Sequence, residues 1–284
     1  MNKELARDLI SAGVHFGHAV SRWNPGMRPY IFAKRGMIHI INVRETLKGV
    51  ILAKKLLSDI VSGGKDVVFV GTKRQAQKAV QKAAEVSGMH YICQRWLGGT
   101  LTNFRTIRSR LQRLEELEAL EASGQLDSES KKQASRHKRE LKKIYTNLNG
   151  IRKLSRVPGA IVVVDAKKEH IALREAQKLG IATICIIDTD SDPKNVDVPI
   201  PANDDSLKAI ELIMDELAQA VAEGKTMIRP DESAAPARPA HAHSRRRILA
   251  SAVPDRDQPQ VPPTEDVLSP QVSEPAGAEN VTLQ

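Results

Sequence analysis

Two short runs constrain this chain more than any other feature: Ala160–Val164 (AIVVV) and Ala182–Ile187 (ATICII). Both are apolar at nearly every successive position rather than at alternate ones. A strand reads that way when both of its faces are buried, which is the situation in a parallel sheet covered by helices on either side. The intervening sequence agrees. Lys168–Leu179 has helical character and stops at Gly180. Asp205–Ala222 repeats Leu207, Ile210, Ile213, Met214 and Leu217 at helical spacing, and Gly224 closes it. Between them, Val198-Pro199-Ile200-Pro201 reads as a Pro-rich loop. Upstream, the same alternation appears. A strand-like run over 37–43 (MIHIINV) precedes a helix over 44–62 that ends at Gly63-Gly64. A strand over 66–70 (DVVFV) precedes a helix over 73–87 that is capped by Gly88, and a short strand over 90–93 follows. The expected fold class is α/β, an open parallel sheet of about five strands.

Two stretches break this rhythm. Residues 102–156 carry no strand signal. Ile107, Leu111, Leu114, Leu117 and Leu120 follow one helix, Gly124 marks a break, and Leu141, Ile144, Leu148, Ile151 and Leu154 follow a second. Steps of three and four over these lengths predict an inserted antiparallel coiled-coil hairpin. From Arg229 to Gln284 the chain holds nine of its 15 prolines and no aromatic residue, so it is expected to be a disordered tail. The predicted organisation is an α/β domain over 1–228 with 102–156 inserted, then a tail over 229–284. Residues 3–12 read as a short amphipathic helix. Four of the nine aromatics (Phe16, Trp23, Tyr30 and Phe32) fall between residues 14 and 35, interleaved with Arg22, Arg28, Lys34 and Arg35.

Charge points to a polyanionic partner. The chain carries 43 Lys and Arg against 34 Asp and Glu, a net charge of +9. The tail holds 6 Arg and 8 acids, so the first 228 residues carry 37 basic and 26 acidic groups. The hairpin, residues 102–155, has 13 basic and 7 acidic residues. A folded region with that excess attracts nucleic acid, because each neutralised phosphate releases condensed counterions. Cys93 and Cys185 both lie in strand-like runs, which suits a reducing cytosol and forms neither a disulfide framework nor a zinc knuckle. No apolar run resembles a signal peptide or a membrane span, so a soluble cytoplasmic protein is expected.

The strand ends offer the best case for catalysis, with Gly71-Thr72-Lys73-Arg74, Asp165 and Asp188 expected at one crevice. The glycine-rich phosphate signatures are absent, although Lys73 and Arg74 at a helix N-terminus are candidate phosphate contacts. Asp188-Thr189-Asp190-Ser191-Asp192 opens like a calcium loop but meets Pro193 where a glycine must turn the chain, so a loop of capping aspartates is expected instead. His15, His18, Asp188, Asp204 and Asp205 leave open a divalent cation, with structural histidines as the preferred reading. Before the hairpin, Gln94–Arg105 places Trp96, Leu97 and Phe104 in a packed elbow with glycines for left-handed backbone, and leaves Arg95 and Arg105 for RNA.

Several blocks together resemble the bacterial small-subunit ribosomal protein S-two family. They are Gly13–His18, Trp23-Asn24-Pro25 with Met27 and Tyr30-Ile31, Gly71-Thr72-Lys73 with Gln75-Ala76, and the unbroken Gln94–Phe104. Pro158–Asp165, Lys167–Ala172, Glu175-Ala176, Leu179–Ile181, Asp188-Thr189, Asp192-Pro193, Ile200-Pro201 and Asn203–Asp205 continue the match, which spans about residues 1–228. The resemblance implies a flavodoxin-like sheet with a protruding coiled-coil hairpin. It implies a non-catalytic place on the solvent side of the small subunit between head and body, in contact with 16S ribosomal RNA. It also implies that the chain helps to hold the large mRNA-binding protein built of OB repeats, in support of translation initiation. The tail departs from members that stop soon after the last helix. The expected RNA contacts are Arg22, Arg28, Lys34, Arg35, Lys73, Arg74, Arg95, Arg105, Arg108 and Arg110, reading backbone shape more than sequence. No cofactor, small-molecule substrate or membrane contact is expected. The rivals are a Rossmann-like enzyme working at the strand ends, which lacks its glycine fingerprint, and a coiled-coil adaptor, which a basic hairpin disfavours.

Overall fold

The computed structural model describes residues 2–124 and 130–227. Residues 1, 125–129 and 228–284, among them the expected tail from Arg229, lie outside the described residues. Five parallel strands form the centre: β4 (Val67–Val70), β5 (His90–Ile92), β6 (Ala160–Val164), β7 (Ala182–Ile187) and β8 (Val198–Pro201), in the order β5-β4-β6-β7-β8. Three more strands, β1 (Phe16–Ala19), β2 (Ile31–Arg35) and β3 (Ile38–Ile41), make a separate antiparallel sheet in the order β1-β3-β2.

The apolar runs behave as their composition requires. Every residue of β6 is buried. Val162 and Val164 face a core built with Val50 and Leu57 of α2 (Val43–Ser62), Val80 of α3 (Arg74–Ser87), and Ile213 and Leu217 of the last helix, Leu207–Thr226. Ile161 and Val163 face the opposite core, with Leu173 and Ala176 of helix His170–Leu179, Met27, Trp96, Ile107, Leu111, Leu148 and Ile151. Each such side chain contributes about 1.5–3 kcal/mol by leaving water, which fixes the sheet between two helical layers. Gly88 and Gly180 end their helices in left-handed backbone, at φ of 60° and 68°.

Two assignments are corrected. Residues 37–43 were expected in the parallel sheet. Ile38–Ile41 instead pairs antiparallel with β1 and β2, strands that the polar, aromatic stretch before it did not announce. Its place is taken by Val198–Pro201, expected as a loop, which pairs with β7 from Ile184↔Val198 to Ile187↔Pro201. Prolines cannot serve a central strand, but an edge strand pairs on one flank only and tolerates missing donors. The free flank is covered by α2, whose Thr46 hydroxyl donates to the Pro201 carbonyl. Gly49 permits this approach: a Cβ there would lie 2.7 Å from the Pro199 carbonyl oxygen. Gly49→Ala is therefore expected to lower stability by about 1–3 kcal/mol, read as a fall in the urea midpoint, because rigid backbone must shift.

Between β5 and β6 the chain forms α4 (Phe104–Ala122) and α5 (Lys131–Leu148), then a 3-10 turn at Asn149–Ile151. Leu111, Leu114, Leu117, Leu148 and Ile151 are buried, and Arg152 binds Glu118 of α4 through its two terminal guanidinium nitrogens at 3.1 and 2.7 Å. Two further helices follow, α6 (His170–Leu179) and α7 (Leu207–Thr226).

Candidate functional site

The carboxyl ends of the strands hold a dense ionic cluster. Lys73 follows β4, Asp165 follows β6, Asp188 follows β7, and Asp204 and Asp205 follow β8. The Lys73 ammonium lies 2.8 Å from Asp204, 2.6 Å from Asp205 and 3.7 Å from Asp165. His18 of β1 places Nδ1 2.8 Å from Asp188 and Nε2 3.4 Å from Asp205, so the small sheet is tied to the strand ends of the large one. The hydrogen bond and charge of Asp188 outweigh desolvation and raise His18 to about 9. Burial raises Asp204 to about 7, although Lys73 opposes it. Asp165 holds φ at +71°, and its carboxylate accepts from the backbone N–H of Lys167 and Lys168, both at 3.0 Å. The Thr72 N–H and hydroxyl both donate to Glu169, which burial raises above the usual carboxylate range.

This cluster cannot serve as a phosphate cradle. Four carboxylates face two cations where a nucleotide would sit in such a sheet. His18, Asp188 and Asp204 offer ligand atoms within 4.8 Å of one another, a donor set a divalent cation accepts. His15 takes no part in that set. Its ring meets that of Phe16 at 4.1 Å, tilted by 38°. The aspartate loop caps as expected, with Asp192 accepting from the Lys194 N–H at 3.1 Å.

A second constellation fixes the segment that leads into α4. Glu175, on the inward side of α6 beside Ala172, Leu173 and Ala176, is 7% exposed. Its carboxylate accepts from the Trp96 indole (3.1 Å) and from the backbone N–H groups of Gly99 (2.7 Å), Leu101 (2.9 Å) and Thr102 (3.2 Å). Burial pushes this carboxyl up, yet the donors from Leu101, Gly99 and Trp96 prevail and hold it below its ordinary value. Trp96 is 6% exposed and Gly99 has φ of 91°, so the segment is the packed elbow its sequence indicated. The sequence reading missed Glu175. A carboxylate among three inward apolar positions of one helix was the available signal.

Arg22, Arg28, Lys34, Arg35, Arg74, Arg95, Arg105, Arg108 and Arg110 are all exposed. Among the described residues none of the nine forms an ion pair, whereas Lys48, Lys54, Lys82, Arg113 and Arg152 each hold a carboxylate. Lys73 departs from the expectation: its ammonium is mostly buried and compensated by three aspartates, so it serves the cluster and not a phosphate. Four of the cations lie on or beside the small sheet. Arg105 and Arg108 instead share a shallow cleft at the start of α4 with Phe104, Ser155 and Arg156. The Arg108 guanidinium is steadied there by the Ser155 carbonyl at 2.9 Å. Arg110 lies on another side of α4, since each residue turns the helix by about 100°. Arg156 was not singled out from sequence, because the loop that brings it to α4 is visible only in the fold. Of the four N-terminal aromatics, Tyr30 packs inward, Trp23 meets His39 at 5.3 Å, and Phe32 stays 75% exposed.

Among the described residues no helix is long and apolar enough to cross a membrane. Residues 9–224 match the family described as Ribosomal protein S2. A small ribosomal subunit protein uS2 of Rhodopirellula baltica is 52% identical over 240 residues, covering 83% of this chain and 92% of that protein. The uS2c protein of Gracilaria tenuistipitata is 48% identical over 219 residues, covering 77% and 95%. A Fusobacterium nucleatum uS2 is likewise 48% identical over 219 residues, covering 77% and 89%.

Proposed function

Because this chain belongs to the ribosomal protein S2 family, we propose that it holds its place in the small ribosomal subunit by binding 16S ribosomal RNA through exposed cations, nearly all of them without a carboxylate partner. The family is a structural component of the small subunit and not an enzyme. The observation that carries the RNA reading is the cleft at the start of α4. Arg105 and Arg108 stand there without carboxylate partners, and Arg156, exposed but 3.7 Å from Asp66, adds a third guanidinium. Guanidinium groups held in a cleft suit backbone phosphates, and they position a protein on RNA without reading bases. Arg22, Arg28, Lys34, Arg35, Arg74, Arg95 and Arg110 supply further contacts, and Lys73 is left out for the reasons above.

In this reading residues 1–228 act as one α/β body, and 102–156 form a protruding coiled-coil hairpin that works as a basic lever. The family resemblance supports a second contact, with the large OB-repeat mRNA-binding protein, and a cytoplasmic, ribosome-bound location. The alternative of a nucleotide-dependent enzyme at the strand ends is opposed by the four aspartates gathered there.

Sedimentation of lysate through sucrose gradients tests the proposal. The chain is expected with the small subunit at moderate salt and released at high salt, since phosphate contacts weaken as counterions compete. Recovery only at the top of the gradient at moderate salt would contradict it.

A further inference from the structure

A pocket at the sheet edge has a lining unlike the basic cleft. It lies between β5, α3 and the end of α5, and is walled by Tyr91, Tyr145, Gln81, Gln94, Asn147 and Asn149. No charged side chain lines it. The one thiol on its wall, Cys93, is pushed by burial up to about 12 and stays neutral. A charged ligand would find no counterion there, while two phenol rings offer π faces. The amides are directed by their neighbours. Asn147 donates its N–H to the Lys143 carbonyl at 2.9 Å, and Gln81 donates to Glu85 at 2.9 Å, so each keeps its carbonyl oxygen free to accept. Gln94 is exposed and adds a further amide. The floor is fixed: a Cβ at Gly150 would lie 2.7 Å from the Tyr91 ring. Outside the pocket, Lys78 stands one turn before Gln81, Arg95 follows Gln94, and Lys142 stands one turn before Tyr145. All three are exposed and have no ion-pair partner among the described residues.

Neutral aromatic walls with amide acceptors inside, and cations outside, match one ligand chemistry. A splayed-out base stacks on an aromatic side chain, its edge meets hydrogen-bonding groups, and its phosphates stay on the basic rim. We propose that this pocket binds one unpaired RNA base carrying an exocyclic amino group (adenine, cytosine or guanine), with Tyr145 as the stacking platform. The proposal rests on the RNA-binding reading above and adds recognition of a base to contacts that otherwise read backbone shape.

The test uses small subunits reconstituted with the full chain, with Tyr145→Ala or with Tyr145→Phe, probed by dimethyl sulfate and kethoxal on bases and by hydroxyl radicals on the backbone. Tyr145 is exposed, so its truncation spares the fold. The full chain is expected to protect one unpaired base. Tyr145→Ala should raise that base's reactivity about tenfold, equivalent to about 1.4 kcal/mol, and Tyr145→Phe should keep the protection. Identical base reactivities with the full chain and Tyr145→Ala, beside an intact backbone footprint at the hairpin, would overturn the pocket and leave RNA binding standing. Loss of every backbone footprint with the unaltered chain would overturn RNA binding and the pocket together. Ultraviolet cross-linking of Tyr145 is expected to yield a nucleotide adduct, and a neighbouring protein found there instead would also overturn the proposal.

Discussion

Replacing Glu175 by alanine is expected to destabilise the chain by about 4 kcal/mol, although Glu175 lies outside the cluster at the strand ends. The carboxylate satisfies the Trp96 indole and three backbone N–H groups of the elbow. Hydrogen bonds to a charged acceptor are worth about 1.5–3 kcal/mol each and do not add fully, and buried donors left unpaired add a desolvation cost. Glu175→Gln keeps one acceptor but turns an amide N–H₂ toward other donors, so about 2 kcal/mol should be lost. The pH dependence separates charge from packing. The folded carboxyl titrates below its ordinary value, so the native state binds this proton less readily than the unfolded chain. Its contribution is complete above the ordinary value of 4.5 and is lost as pH falls through the lowered folded value. Urea midpoints of the parent chain and Glu175→Gln should therefore converge in acid. A gap that persists unchanged below that range would show that the charge is not what the elbow uses.

Reversing Arg105, Arg108 and Arg156 together to glutamate should weaken binding to 16S ribosomal RNA by about a thousandfold. Each lost phosphate contact at about tenfold accounts for that size. The dependence of log affinity on log salt should also flatten by about 3, about one for each contact. All three side chains are exposed, and the Arg156–Asp66 pair at 3.7 Å is a surface contact, so stability should change by about 1 kcal/mol or less. Arg110→Glu, on another side of α4, should cost far less than the triple variant. Lys48→Glu, where the ammonium already pairs with Glu45 at 2.7 Å, should leave RNA affinity nearly unchanged. Full occupancy of small subunits by the triple variant would remove the cleft from the RNA interface.

The legibility of this chain followed from where the physics is local. Ala160–Val164 announced a central parallel strand because burial on both faces leaves no polar position to disguise it. Gly88 and Gly180 announced helix ends because left-handed backbone is costly for other residues. Val198–Pro201 did not announce a strand, since proline argues against pairing until the edge and its covering helix are known. Residues 16–19 and 31–35 were equally mute. Their strands are short, half polar and supported mainly by Ile38–Ile41 between them. At the site, exposed arginines could be picked by type, but the pairing state of each cation is a tertiary property. Lys73 looked like a phosphate contact because it opens a helix, and only the fold brings Asp204 and Asp205, more than 130 residues away, to its ammonium. Arg156 was overlooked for the converse reason.

The proposed contact with ribosomal RNA is electrostatic and directed at the backbone, so its strength must depend on salt. The most direct measurement is the affinity of the full purified chain for 16S ribosomal RNA across a salt series. A linear fall of log affinity with log salt, flattened in the variant carrying Arg105→Glu, Arg108→Glu and Arg156→Glu, is the predicted result. A salt-independent affinity, or a slope that the triple variant leaves unchanged, would contradict it.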